Sequence, residues 1–409
     1  MTALYEHDDL GVRVRVPYLV LSDDMRGRWW SQGVMYGDDP DRTKYSYRPP
    51  SELDYFDNKG PVGLIGCWSG ASTHTFGGSA PDAGVGVINA RFAIEGASKA
   101  AHYLKLHGLR SEIDGFGHWL GYSALKSFIN LPKDGAGHEI TTTASAVDDM
   151  PLGRPLNLKA IAHALSSGLQ SPEVTFRSRV FLETFAKTPH EWQDHLTLHF
   201  GLRDLLRIAS WHRINFQSHQ AASFKETSEI RGDERQPWRE VRTATTGVSE
   251  SIWKTNDRFL FTYDDIGRAG VARWLKLAKT YSRGIEPLIR LLDLEGATVD
   301  AHVMQLGIAV EAIGYQALID SGKSAGAANE TSVKERIDFL LTEVAGEINF
   351  NSASFAQDFA VSYNSVKHAN RALVAPATKV EHYRQGVEMV RAWVGLRLGV
   401  KMAVLKNRW

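Results

Sequence analysis

The hydrophobic pattern changes character along the chain. In the first third, apolar positions alternate or form short runs: "LGVRVRVPYLVL" alternates, "RWWSQGVMYG" is short and aromatic, and "VGLIGCWSG" and "VGVINARFAIEG" are apolar stretches bounded by glycine. A period of two marks strands with one buried face, and turn-rich stretches such as "YGDDPDR" and "DNKGPVG" separate them. The expected product is a sandwich or open barrel of antiparallel strands. Residues 131–155 turn polar and glycine-bearing, which predicts a loop or a strand pair. Thr188 and Pro189 then stand at helix-entry positions, and Leu198, Leu202, Leu205 and Leu206 recur at helical spacing, so a helix is expected there. "RFLFTY" reads as a strand.

After "DDIGRAG" every long segment carries an apolar stripe of helical period, among them "VARWLKLAKTYSRGIEPLIRLLDL", "DAHVMQLGIAVEAIGYQALIDSG" and "SASFAQDFAVSYNSVKHANRAL". Several open on Asp, Ser or Thr, and the short connections fit an antiparallel bundle. The expected class is α+β: a β-rich region over residues 1–265 followed by a helical bundle over residues 266–409. A length of 409 residues agrees, since it exceeds what one hydrophobic core usually organises.

Composition narrows the function classes. A hydrophobic content of 43% with 23% charged residues is that of a soluble globular protein, and no apolar run is long enough to span a bilayer. The N-terminus lacks a secretory pattern and Cys67 is the only cysteine, so a cytoplasmic protein without disulfides or membrane partner is expected. Acidic and basic residues balance at 47 each, but the stretch from Tyr363 to Trp409 holds nine basic residues against two acidic ones. Such an excess suits either a phosphate-binding surface or a solvated helix face.

The polar run "SYNSVKHANR" lies in that stretch. If Ser354 caps a helix reaching about Ala372, then Phe355, Phe359, Val366 and Leu373 face the bundle, while Asn364, His368 and Arg371 share another face flanked by Lys367. An amide, an imidazole and two cations within two turns suit a phosphodiester: cations hold the phosphate and the imidazole moves the proton. Elsewhere, His190, His195 and His199 cluster in "HEWQDHLTLHF", but no third-ligand pattern accompanies the His195/His199 pair, which reads as packing or helix surface. Cys67 reads as a strand residue, and Trp29, Trp30, Trp68 and Trp119 read as core or sheet residues. No dinucleotide fingerprint or phosphate-loop motif occurs, and neither metal nor cofactor is expected.

"YNSVKHA" resembles the mark of the ApeA-like branch of the HEPN superfamily, an Arg, then Asn or another polar residue, then a His in a late bundle helix. Asn364 and His368 match, and Tyr363 stands where the arginine belongs. "GIAVEAIGYQAL" is similar to the second HEPN helix, with Glu311 at its acidic position, and "RGRWW", "GLIGCWSG", "VINARFAIEGA" and "DHLTLHFGLRDLL" are similar to the accompanying ApeA-type N-terminal domain. The resemblance implies a metal-independent endoribonuclease of bacterial antiphage defence, working as a homodimer with one composite site. His368, Asn364 and Glu311 would be its catalytic residues, Lys367 or Arg371 would hold the RNA phosphate, and the N-terminal region would sense a phage-derived trigger. The Tyr363 departure leaves an alternative, a catalytically inactive HEPN protein that binds a phage component or nucleic acid.

Overall fold

The computed structural model describes residues 3–8, 11–18, 49–71, 73–75, 83–130, 139–168, 173–230, 233–246, 259–344, 346 and 348–408. The stretches "RWWSQGVMYG" and "YGDDPDR", with Trp29 and Trp30, lie outside the described residues.

In chain order the strands are β1 (Leu4–Asp8), β2 (Gly11–Tyr18), β3 (Glu52–Asp57), β4 (Gly60–Ser69), β5 (Thr73–Thr75), β6 (Ala83–Glu95), β7 (Leu106–Ile113), β8 (Leu125–Asn130), β9 (Glu139–Ala144), β10 (Met150–Pro151), β11 (Lys159–Ser167), β12 (Thr175–His190), β13 (Phe216–Ala222), β14 (Ser228–Ile230), β15 (Asp233–Arg235) and β16 (Arg239–Arg242). Among the described residues, twelve of them form one antiparallel sheet ordered β1-β2-β6-β16-β13-β7-β12-β11-β10, with β4 and β5 also on β6 and β3 on β4. β8 pairs with β9, so the polar stretch after residue 130 is flanked by a hairpin. The alternation expected in β2 is realised: Val12, Val14 and Val16 are buried, while Arg13 and Arg15 reach Glu6 of β1.

β7 is the strand on which the N-terminal region turns. It lies between β13 and β12, and its side chains alternate between two environments. Leu109, Ser111 and Ile113 face the core, whereas Arg110 and Glu112 pair with Glu183, Arg177 and Arg179 on the other face.

The helices are α1 (Phe116–Leu120), α2 (Trp192–Ser210), α3 (Tyr263–Thr280), α4 (Ser282–Arg290), α5 (Val299–Asp320), α6 (Ala325–Asn329), α7 (Val333–Glu343), α8 (Phe355–Lys367), α9 (Pro376–Leu398) and α10 (Met402–Lys406). A sheet-rich N-terminal region followed by helices is the α+β order that the pattern predicts. Two local expectations are corrected. Thr188 and Pro189 do not start a helix, because β12 continues to His190, which pairs with Leu106; α2 begins at Trp192. Among the described residues of "RFLFTY", which start at Phe259, no strand forms: Leu260 and Phe261 are buried in the core, and Thr262 with Asp265 closes a capping box that starts α3.

The expected boundary at residues 265/266 falls in the first turn of α3, and the apolar interior runs across it. One cluster extends from Ile113, Phe116 and Trp119 through Leu202, Leu205 and Leu206 of α2 to Trp274, Val310 and Trp393. Polar contacts follow the same path. Trp119 Nε1 donates to Phe261 O at 3.0 Å, Trp274 Nε1 donates to Gly201 O at 2.6 Å, and Arg391 of α9 donates to Ile208 O and Ala209 O at 2.8 Å each. α2 is thus the layer between sheet and bundle.

Candidate functional site

Gly307 and Glu311 lie one turn apart on α5 and share a face. The ring of Tyr363, from α8, packs where a Cβ on Gly307 would overlap it, so only glycine leaves room there. That close approach carries the Tyr363 hydroxyl to Glu311 Oε2, to which it donates at 3.1 Å. Burial, and then the Glu311 charge, push the Tyr363 phenol pKa well up, so the hydroxyl stays protonated and acts as a donor. Lys367, one turn further along α8, places Nζ 3.7 Å from the same Glu311 oxygen and 5.1 Å from the Tyr363 ring centroid. Arg336 of α7 reaches Glu311 Oε1 at 3.3 Å from the other side.

Glu311 is therefore the hub, held by a phenol, an ammonium and a guanidinium. Arg336 escaped the reading of the sequence. Its signal was the S-x-x-E capping box at Ser332 and Glu335, which starts α7 and sets Arg336 in its first turns. The guanidinium is not available to a ligand, because it also donates to Ala328 O, Asn329 O and the Thr331 hydroxyl. Beyond Glu311 a cavity of about 440 Å³ opens between α4, α5 and α7, walled by Arg283, Tyr315, Gln316 and Arg336 among others.

The expected helix to Ala372 is corrected. α8 ends at Lys367, and His368 is its C-cap with φ −128° and ψ 115°, its backbone N–H donating to Asn364 O at 3.0 Å. His368 and Arg371 therefore do not continue the helical face begun by Asn364. Phe355 and Phe359 are buried as expected, but Leu373 is 89% exposed. With Leu373 unburied, nothing apolar after Val366 anchors a further turn to the bundle, and the chain leaves the helix. His368 and Arg371 are exposed and Asn364 is half-buried; among the described residues the His368 imidazole makes no hydrogen bond to Asn364 or Glu311. The structure thus gathers Tyr363, Lys367 and Glu311, whereas His368 caps the end of α8 at the surface.

Four of the nine cations of the C-terminal stretch are engaged inside the fold. Lys379 pairs with Asp300, Arg397 with Glu343 and Arg408 with Asp265, and Arg391 serves backbone carbonyls. Arg371, Lys401 and Lys406 remain exposed.

The histidines of "HEWQDHLTLHF" form a different construction. His195, His199 and His219 are buried in a chain of hydrogen bonds between α2 and the sheet: Leu106 O to His195 Nε2 (3.3 Å), His195 Nδ1 to Thr184 Oγ1 (2.7 Å), Thr184 Oγ1 to His199 Nε2 (2.9 Å), His199 Nδ1 to Ser111 Oγ (2.6 Å), Ser111 Oγ to His219 Nδ1 (2.7 Å), and His219 Nε2 to Thr245 Oγ1 (3.0 Å). A carbonyl can only accept, so His195 must donate from Nε2. With all rings neutral, each remaining proton is then assigned in turn: Thr184 donates to His195, His199 Nε2 to Thr184, Ser111 to His199, His219 Nδ1 to Ser111, and Thr245 to His219. Burial also strips water from every ring, which disfavours the charged form. Burial accordingly pushes His195 down to about 4 and His219 down to about 3, and holds His199 well below its ordinary range.

These depressed values make the fold acid-sensitive. An unfolded histidine titrates near 6.5, so the stabilisation is fully present above that pH and is lost as pH falls toward the folded values. Chemical denaturation at pH 7.5 and 5.5 is expected to differ by about 1 kcal/mol for each of the three histidines. A pH-independent unfolding free energy over that window would refute the neutral chain. The packing reading of the His195/His199 pair is met by their burial and by their hydrogen bonds to Thr184 and Ser111. Of the tryptophans described, Trp119 is fully buried, whereas Trp68 is half exposed on β4. Cys67, also on β4, is partly buried, and burial pushes its thiol up to about 12, which is unsuited to a nucleophile. No helix among the described residues is long and apolar enough to cross a membrane.

Comparison with known families matches residues 18–276 to the description "ApeA N-terminal domain 1". No curated protein and no solved structure matches. The matched span starts at the last residue of β2, covers β3 to β16, α1, α2 and most of α3, and stops before the hub around Glu311.

Proposed function

Because the chain belongs to the ApeA N-terminal domain 1 family, we propose that it is an antiphage-defence protein whose C-terminal helices form a HEPN-type endoribonuclease. The observation that carries the reading is the exposed His368 at the C-cap of α8, the helix that bears Asn364 and that brings Tyr363 and Lys367 to Glu311. In this mechanism the imidazole removes the proton of a ribose 2′-hydroxyl as the 2′-oxygen attacks the adjacent phosphorus. The bond to the 5′-oxygen breaks, that oxygen takes a proton, and the products are a 2′,3′-cyclic phosphate and a 5′-hydroxyl. The need for a 2′-hydroxyl restricts the reaction to RNA. Arg371, exposed three residues beyond His368, and Lys367 supply positive charge for the phosphate, and Asn364 supplies an amide donor.

One copy presents one histidine at its α8 terminus, so we place the working site between two copies, each contributing that terminus. The full chain is expected to run as a homodimer in light scattering at micromolar concentration. A monomeric mass would remove the composite site from the account. The N-terminal region is read as the sensor of a phage-derived trigger. Expression of the wild type and of His368→Ala in a bacterial host under phage challenge, with RNA integrity followed on a gel, tests the reading. Degraded RNA with the wild type and intact RNA with the variant support it.

A second reading has its own observation. Tyr363 takes the place of the motif arginine, and its hydroxyl is engaged by Glu311 rather than offered to a phosphate. On this reading the bundle is an inactive HEPN module that binds a phage component or nucleic acid. Phage protection with intact RNA would favour it.

A further inference from the structure

On the sheet face turned away from α2, directly behind Ser111 and Thr184, stand Arg110 of β7, Glu183 of β12 and Lys159 of β11. Glu183 is only 3% exposed, and its carboxylate joins the two cations: Arg110 Nε donates to Oε2 at 2.6 Å, and Lys159 Nζ lies 3.0 Å from Oε1. Lys159 also reaches Asp149 at 2.6 Å. Two cavities, of about 470 and 640 Å³, open beside this bridge, and Arg110 and Lys159 line both. The Arg110 guanidinium lies 3.9 Å from the Trp238 ring centroid. Among the described residues its single hydrogen bond is the one from Nε, so both Nη groups keep their protons for another acceptor.

This arrangement differs from an ordinary structural ion pair. A buried pair that serves the fold alone saturates the guanidinium, as Arg336 is saturated by four acceptor residues. Here the carboxylate fixes one edge of the guanidinium and the indole fixes its plane, while its two-pronged end is unspent. A second cation is held on the same carboxylate. Two convergent cations suit a phosphoryl group, which carries more charge than a single carboxylate. The larger cavity also has an aromatic wall of Phe185 and Trp238, and its size lies within the range of small-molecule sites.

We propose that this groove binds a small phosphate ester of nucleotide size: Arg110 and Lys159 hold its phosphoryl oxygens and its planar group rests against Phe185 and Trp238. The site deepens the sensor role given above to the N-terminal region. Its test reads binding alone, so it can fail without the ribonuclease reading failing, and the reverse.

The experiment is isothermal titration calorimetry of the full chain with AMP and UMP, with inorganic phosphate and adenosine as the two halves taken separately. At least one nucleotide is expected to bind with Kd below about 1 mM, inorganic phosphate at least about tenfold more weakly, and adenosine without saturation. The paired variant Arg110→Gln with Glu183→Gln removes the guanidinium without stranding a buried charge, and is expected to lose at least about tenfold in nucleotide affinity. Lys159→Gln, which changes a less buried position, is expected to weaken binding in the same direction should the paired variant fail to fold. Absence of nucleotide heat at millimolar concentration, or nucleotide affinity unchanged in a folded variant, overturns the proposal. Phosphate binding as tightly as both nucleotides overturns the aromatic half of it.

Discussion

Replacing His368 with alanine is expected to lower the rate of RNA cleavage by about a hundred- to ten-thousand-fold, the range in which a positioned acid or base contributes. The fold and the dimer are expected to survive. His368 is exposed, lies past the last turn of α8, and lends only its backbone N–H to the helix end, which alanine supplies equally. Single-turnover cleavage read beside a melting curve separates chemistry from stability. Undiminished cleavage by a folded His368→Ala protein would remove the histidine from the mechanism. The roles around it are unequal: Asn364 cannot titrate, and Tyr363 is kept protonated by burial and by the Glu311 charge.

Trp274→Ala is expected to produce the largest loss of stability, about 3–5 kcal/mol. The indole is fully buried where α3 lies against α2, and its Nε1 proton satisfies Gly201 O. Truncation leaves a cavity and removes the additional hydrogen bond that the indole gives Gly201 O. The position matters as much as the size of the effect. α2 carries the buried histidine chain on one side and the bundle on the other, so the damage is expected to spread both ways from the α2/α3 contact. Urea titration followed by circular dichroism, with m compared between wild type and variant, checks this. A loss below about 1 kcal/mol would show that the contact is not a keystone of the shared core.

What could be read from the sequence was what depends on near neighbours. The valines of β2 and the phenylalanines at positions 355 and 359 declared their buried faces by spacing alone, and the change of period after "DDIGRAG" marked the passage from sheet to helices. The end of α8 was misread because the polar run "KHANR" still permits a helix; only the exposure of Leu373 shows that no surface waits for a further turn. Arg336, Ser111 and Glu183 were missed for a different reason. Their partners are brought close by strand pairing or helix packing across tens of residues: Arg336 to Glu311, Ser111 to His199 and His219, Glu183 to Arg110. No local spacing carries that information. For the same reason the basic count near the C-terminus said little about a nucleic-acid surface, since four of its nine cations find acceptors elsewhere in the fold.

The central claim is the chemistry assigned to the α8 terminus, and the ends of the RNA fragments test it most directly. The purified full chain is incubated with single-stranded RNA in the presence of EDTA, and the fragments are analysed by mass spectrometry. The account predicts cleavage that survives the chelator and leaves 2′,3′-cyclic phosphate and 5′-hydroxyl ends; fragments ending in 3′-hydroxyl and 5′-phosphate, or cleavage that the chelator abolishes, would contradict it.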